Sequence, residues 1–303
     1  MRIFLFLCLV SFSAQAQRQI AVTFDDLPFV SELSLAHAQQ STARLLAKMP
    51  GNTIPAVGFV NESFALRTGE VDARIALLDA WLTNGHQLGN HTFSHPSFNE
   101  LSLDSYTTDF LRGEVITEQL TRLRGQSSRY FRYPFLQTGP DSIRRYGFEA
   151  FLRQRGYTSA PVTIEADDWL FNKVYMDALQ ANDSTLMQRV GAEYLRHTDA
   201  YFGYYEKLTL EVAGRPIRQI LLCHANALNA DYFDQLVALM RQRGYAFIPL
   251  ADALTDPIYQ HPDGYVGKGG FSWLHRWRLT DQKKTTLTEP AIAAFIQTLY
   301  DRK

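Results

Sequence analysis

The sequence predicts an α/β fold, a parallel sheet or barrel covered by helices, and three features of its 303 residues carry that prediction. Short apolar runs alternate with stretches of 3.6-residue periodicity, the pattern of repeated β-α units. The connections between them are short, which suits parallel strands joined by crossover helices. The chemically active polar residues fall at the ends of the apolar runs, where such sheets place their sites. With 46% hydrophobic and 20% charged residues, the composition is that of an ordinary globular chain. Thirty Lys and Arg against 31 Asp and Glu leave a formal charge of -1, so no global field favours nucleic acid or an anionic membrane.

Residues 1–16 read as an export signal. Arg2 supplies a brief positive segment, Ile3 to Phe12 an apolar run, and Ala14-Gln15-Ala16 the small-x-small pattern of a cleavage site before Gln17. The apolar run is far shorter than the roughly 20 residues needed to cross a hydrocarbon core. The expectation is a periplasmic or secreted chain that is not an integral membrane protein. Cys8 lies in the signal, which leaves Cys223 as the single cysteine and no internal disulfide.

Ile20-Ala21-Val22-Thr23-Phe24 then reads as a buried strand that Asp25-Asp26-Leu27-Pro28 ends. Pro55 to Val60 is a second strand, followed by a helix over Glu70 to Leu82, with Val71, Ile75, Leu78 and Leu82 on one face and Asn84-Gly85 as its stop. Gln87 to His91 is a short strand leading into a loop, Leu101 to Leu123 a helix, and Tyr130 to Phe135 a strand. Ser184 to Tyr205 is helical, with Leu186, Val190, Tyr194 and Tyr201 on one face, and suggests an inserted helical element near 170–215. Ile220 to Cys223 is a strand ending at His224, Asp231 to Arg243 a helix, and Tyr245 to Leu250 the last strand. One domain is expected over 17–254, followed by an extension over 255–303 packed on it. Trp273 and Trp277 in that extension suit either sugar stacking or packing.

His91-Thr92-Phe93-Ser94-His95 sets two imidazoles four residues apart, which on one helical turn would face the same side. Alone such a pair is weak evidence; with a carboxylate it gives the three-ligand set of a catalytic zinc site, leaving coordination positions open. Asp26 suits the third ligand, and Asp25, pointing the other way along a regular strand, is free to act on water. Adjacent aspartates before Pro28 are on their own a solvated turn. Directly after a buried strand they need positive compensation, for which a divalent ion and Arg132 are the candidates.

Thr23-Phe24-Asp25-Asp26, His91 to His95, Arg132-Tyr133-Pro134-Phe135, Asp168-Trp169 and Leu222-Cys223-His224 occur in the order of five motifs. Over about residues 19 to 252 the chain resembles the polysaccharide deacetylases, carbohydrate esterase family 4, with their NodB-like domain. The resemblance implies a distorted (β/α)7 barrel that removes acetyl groups from N-acetylated or O-acetylated carbohydrates, using Zn2+ or a similar divalent ion such as Co2+. It further implies Asp26, His91 and His95 as metal ligands, Asp25 as general base and His224 as general acid. Arg132 would orient Asp25, and Asp168, or Asp167 beside it, would hold His224 protonated. The main-chain N–H of Tyr133 would stabilise an oxyanion, and Leu222 and Trp169 would wall the acetyl methyl. His37, His86, His197, His261 and His275 match no motif and read as structural or surface residues. Leu27-Pro28 and Leu136 stand where the family usually has glycine, so the groove rim differs.

Other readings use the same residues: hydrolysis of a non-sugar amide C–N bond on the same fold, a non-catalytic carbohydrate-binding protein, or a 2-His-1-carboxylate iron oxygenase. A binding module has no need of Asp25 and His224 beside a complete ligand set. A water-activating aspartate adjoining the ligand aspartate speaks for hydrolysis over oxygen chemistry.

Overall fold

The structure, a computed structural model, describes residues 17–126 and 129–302, so the expected export signal lies outside the described residues. Among these, seven strands form one parallel sheet: β1 (Arg18–Leu27), β2 (Ala56–Val60), β3 (Gln87–Asn90), β4 (Tyr130–Phe131), β5 (Thr158–Ser159), β6 (Gln219–His224) and β7 (Tyr245–Phe247). Their order is β5-β4-β3-β2-β1-β6, with β7 beside the start of β1. Ile20, Ala21, Val22 and Phe24 of β1 are all buried, as expected of a central parallel strand covered on both faces. Its register sets Thr23 beside Leu222 and Asp25 beside His224.

The sheet curls back on itself. The Ala160 N–H donates to the Phe131 carbonyl, and a few residues on, Ile164 bridges to Leu221 of β6 and accepts from the Leu222 N–H at 2.9 Å. The segment after β5 thus links the sheet's two edges in the distorted-barrel arrangement. Two predicted elements are shorter than the hydropathy suggests. The strand over Tyr130 to Phe135 pairs only as far as Phe131, because Phe135 and Leu136 adopt φ of 55° and 54° in a tight turn. The strand begun at Tyr245 ends at Phe247, and Pro249 leads into a short helix from Leu250. The predicted helix over Leu101 to Leu123 is two, Leu103–Arg112 and Val115–Leu123, broken at Gly113.

The chain between the Asp168 region and β6 is helical, Asp168–Gln180 followed by Ser184–Ala213. The longer helix starts with the Asp183 carboxylate accepting from the Leu186 N–H and stops at Gly214, whose φ of 69° is the left-handed conformation that glycine accepts at a helix end. Its buried face holds Val190, Tyr194, Tyr201, Phe202, Tyr205, Leu208 and Val212. Beyond residue 255, the helix Trp273–Thr280 packs on this long helix and the helix Ala294–Tyr300 on Asp168–Gln180. Trp273 and Trp277 are buried in the main core, which decides for packing over sugar stacking. A separate aromatic cluster of Phe98, Tyr106, Phe110, Phe131, Tyr133 and Phe148 fixes the helices Leu103–Arg112 and Ser142–Gln154 against β4. Among the described residues no helix is long and apolar enough to cross a membrane.

Candidate active site

Both aspartates at the end of β1 turn toward the same point, contrary to the regular alternation predicted for them. Asp26 has φ of 66°, and the pairing with β2 shifts register between Phe24 and Leu27. This irregularity cancels the pleat, so that His91 Nε2 lies 3.7 Å from Asp25 Oδ2 and 3.6 Å from Asp26 Oδ1. The two histidines are likewise not on a helix. They sit in a loop in which Thr92 and His95 have φ of 68° and 56°, and their rings lie 4.9 Å apart, centroid to centroid.

A set of buried polar residues holds that loop. The Asn61 side chain donates to the His91 carbonyl at 2.5 Å, and Asn90 Oδ1 accepts from the Thr92 N–H at 2.6 Å. The Asp109 carboxylate takes the N–H groups of Phe93 and Ser94 and the Ser94 hydroxyl, at 2.7–2.9 Å. Gly113 lies against the loop from behind: a Cβ there would fall 2.4 Å from the Thr92 carbonyl carbon, so no larger residue fits without moving the loop.

The residues present fit a divalent cation. Asp26, His91 and His95 each offer a ligand atom, and these atoms all lie within 4.8 Å of one another. Asp26 Oδ1 is 3.6 Å from His91 Nε2 and 3.5 Å from His95 Nε2, the separation of ligands sharing one tetrahedral ion at about 2.1 Å. Asp26 Oδ1 is buried without a hydrogen-bond partner, a costly state that a cation relieves. His91 donates from Nδ1 to the Arg132 carbonyl at 2.8 Å, which leaves Nε2 as the basic nitrogen. Burial first, and the neighbouring His95 second, hold the His91 imidazole well below its ordinary basicity, in the neutral form that binds metal.

Flanking this set are two charge pairs. Arg132, fully buried, is fixed by the Ala160 carbonyl at 2.7 Å and Thr23 Oγ1 at 3.0 Å, and sets its third nitrogen against both Asp25 oxygens at 3.3 and 3.4 Å. Burial raises the Asp25 carboxyl to about 6, with Arg132 opposing that rise. On the other side, His224 Nδ1 lies 2.6 Å from Asp168 Oδ1, and the second Asp168 oxygen accepts from the His224 N–H at 2.7 Å and Asn229 Nδ2 at 2.6 Å. Burial alone would lower the His224 imidazole, but the charge and hydrogen bond of Asp168, with the Asp26 and Asp25 carboxylates, together outweigh it and raise the pKa to about 10. Asp168 is held low in spite of burial by the same contact. Asp167 instead faces His197 at 3.2 Å, which resolves the choice between the neighbours in favour of Asp168.

Of the residues predicted from sequence, Asp25, Asp26, His91, His95, Arg132, Asp168 and His224 therefore converge. Leu222 is buried beside Thr23. Trp169 is 47% exposed, with its ring edge-on to Tyr300. The Tyr133 side chain turns away into the aromatic cluster, so only its main chain is left to serve the site. The aromatic ring at the site belongs to Phe135, 54% exposed and centred 4.5 Å from His95. Asn61, Asn90, Asp109 and Asn229 were not anticipated. Each is an ordinary polar residue in sequence; Asn90 adjoins the loop, and only the fold brings Asn61 and Asp109 to it and Asn229 to Asp168.

Residues 13–151 match the family model for polysaccharide deacetylase. A peptidoglycan-N-acetylglucosamine deacetylase from Bacillus cereus is 29% identical over 117 residues, 39% of this chain and 36% of that protein. The chain thus spans about a third of the length of that relative. A chitin deacetylase from Colletotrichum lindemuthianum is 28% identical over 177 residues, 57% of this chain and 62% of that protein. The solved structure of the chitin deacetylase from that fungus superposes with a TM-score of 0.52 at 20% identity, covering 84% of this chain and 94% of that one. A CE4 family pseudoenzyme from Bacillus anthracis gives 0.50 at 14% identity, covering 79% of this chain and 66% of that one. At such identities the structures establish the fold, and the pseudoenzyme's presence leaves activity to be argued from the site.

Proposed function

Because the chain belongs to the polysaccharide deacetylase family, carbohydrate esterase family 4, we propose that it is a metal-dependent hydrolase of acetylated oligo- or polysaccharides that frees acetate. The single observation supporting this most is the meeting of Asp26, His91 and His95 around an unpartnered Asp26 oxygen, with Asp25 on one side and His224 on the other. A divalent ion held by those three side chains, Zn2+ or Co2+, supplies Lewis-acid polarisation of the acetyl carbonyl and of a water.

The protein's own groups do the rest. Asp25, ionised and aimed by Arg132, takes a proton from the attacking water as its oxygen bonds to the acyl carbon. His224, kept protonated by Asp168, gives its proton to the departing amine or alcohol as the C–N or C–O bond breaks. Leu222 offers an apolar wall to the acetyl methyl. The N-terminal export pattern supports a periplasmic or secreted location, where acetylated polysaccharide is the accessible substrate.

Acetate release tests this reading, assayed on chitooligosaccharides, peptidoglycan fragments and acetylated xylan with and without chelator. Release that chelator abolishes and added Zn2+ or Co2+ restores is the expected outcome. A zinc-loaded protein that frees acetate from none of them refutes it.

A further inference from the structure

Where the Tyr133 side chain turns away from the metal ligands, the barrel and the C-terminal extension form a surface cleft of about 300 Å³, at the small end of the range for small-molecule sites. None of Asp25, Asp26, His91, His95, Arg132, Asp168 and His224 lines it. Leu152, Pro161 and Tyr259 give it apolar walls, and Tyr133, Arg145 and Arg153 bring hydrogen-bond donors to it.

Two buried guanidiniums meet there. Arg145 directs Nη2 to the Asp263 carbonyl at 2.5 Å and to the Asp263 carboxylate at 3.0 Å, and Nε to Glu149 at 3.2 Å. Arg276 lies over the Trp273 ring, 4.9 Å from its centroid, with Nε 2.7 Å from Asp263 and Nη2 2.7 Å from Thr138 Oγ1. Each keeps a buried Nη1 that has no acceptor, and the buried Tyr133 hydroxyl has no partner either. Burial first, and Glu149 next, raise the Tyr133 hydroxyl far above its ordinary value, so it remains a donor. Tyr133 also lies within electrostatic reach of both guanidiniums.

What these groups lack is an acceptor, and a buried donor left without one is costly. Burial lowers the Arg276 guanidinium in spite of Asp263, and the neighbouring Arg145 adds to the lowering. His261 on the same wall is engaged by Asp281 at 2.8 Å. Arg145, Arg153 and Arg276 against Glu149 and Asp263 leave one positive charge, which a monoanion matches and a doubly charged phosphate exceeds. A carboxylate has that charge and the planar pair of oxygens that a guanidinium fork takes.

We infer that this cleft is a second binding site, for a small carboxylate whose oxygens accept from Arg145, Arg276 and the Tyr133 hydroxyl and whose body packs on Leu152, Pro161 and Tyr259. A free organic acid and an acidic sugar residue of a polysaccharide share that chemistry. The site does not rest on the deacetylase reading.

Calorimetry on zinc-loaded full-length protein tests it, with acetate, D-glucuronate, D-glucose and inorganic phosphate as probes. Saturable binding of a carboxylate and none of glucose is expected. Glucuronate binding more tightly than acetate assigns the site to an acidic sugar, and the reverse order to free acids. Tyr133→Phe, which keeps the ring and removes only the unpartnered hydroxyl, should keep the wild-type urea midpoint and weaken the carboxylate about tenfold. Arg145→Lys should weaken it at least as much. If that variant fails to fold, Tyr133→Phe decides. His91→Ala, without its metal, should bind the carboxylate as the wild type does. Saturation by neither carboxylate, phosphate binding more tightly than both, full affinity in Tyr133→Phe, or binding lost in His91→Ala overturns the inference. A crystal structure grown with glucuronate in which only water meets Arg145 Nη1 and the Tyr133 hydroxyl overturns the acidic-sugar assignment.

Discussion

Arg132 and Asp25 are tolerable in the interior only as a pair. Both are buried, and removing one partner strands the other's charge at a cost of about 3–5 kcal/mol. Asp25→Asn should therefore lower the urea midpoint of unfolding, still retain one equivalent of zinc, and lose activity by about 10²–10⁴-fold. An active Asp25→Asn enzyme would remove Asp25 from the role of base. His91→Ala should instead fail to retain metal in elemental analysis of dialysed protein. The second pair makes a prediction in pH. With Asp168 in place His224 holds its proton up to about 10. In Asp168→Asn that attraction is gone while burial, which lowers an imidazole, and the weaker pull of Asp26 and Asp25 remain, so the His224 pKa should fall below about 10. Because the acid must be protonated to work, the alkaline limb of kcat/KM should move down the pH scale in the variant. Identical alkaline limbs would exclude His224 as the acid. Asp25, His91 and His224 were readable in the sequence because each follows an apolar run, whereas Asp168 was reached only through its motif. Phe135 was not singled out, since nothing in an Arg-Tyr-Pro-Phe string tells which aromatic ring faces the groove.

At the scale of elements, sequence periodicity found the strands and most helices but misread how the site residues are presented. Regular pleating puts Asp25 and Asp26 on opposite faces, and a helical turn is the simplest way to align His91 with His95. Instead, a strand irregularity and a loop with two left-handed residues do the aligning. Such conformations are set by partners outside the motif, Asn90 just before it and Asn61, Asp109 and Gly113 many residues away. The break in the predicted helix over Leu101 to Leu123 has the same origin, since at Gly113 the chain packs directly against the Thr92 main chain. Gly113→Ala consequently probes the element, not the ligands. Its methyl group should displace the loop, cost about 1–3 kcal/mol of stability as overpacking does, and weaken zinc affinity by about 10–100-fold. Competition with a chromogenic chelator measures the latter. Unchanged affinity would mean that the loop finds its place without this contact.

For the molecule as a whole, the site is assembled from both halves of the chain. Asp25, Asp26, His91, His95 and Arg132 fall within residues 13–151, the part that matches the family model, whereas Asp168 and His224 lie beyond it. The second half is also where the long helix Ser184–Ala213 and the extension are found, and their packing leaves no seam in the core. Trp273, Trp277 and Ile296 share one cluster with Leu221, Leu222 and Cys223 of β6. Trp277 is 1% exposed, and Tyr259 lies edge-on to it at 5.7 Å. Trp277→Ala opens a large cavity there and should cost about 3–5 kcal/mol. If the extension and the barrel are one cooperative unit, this loss lowers the urea midpoint of the entire chain. Far-UV circular dichroism, tryptophan fluorescence and acetate release should then fall together in the variant as in the wild type. Fluorescence that changes at lower urea than acetate release would instead mean that the extension melts separately.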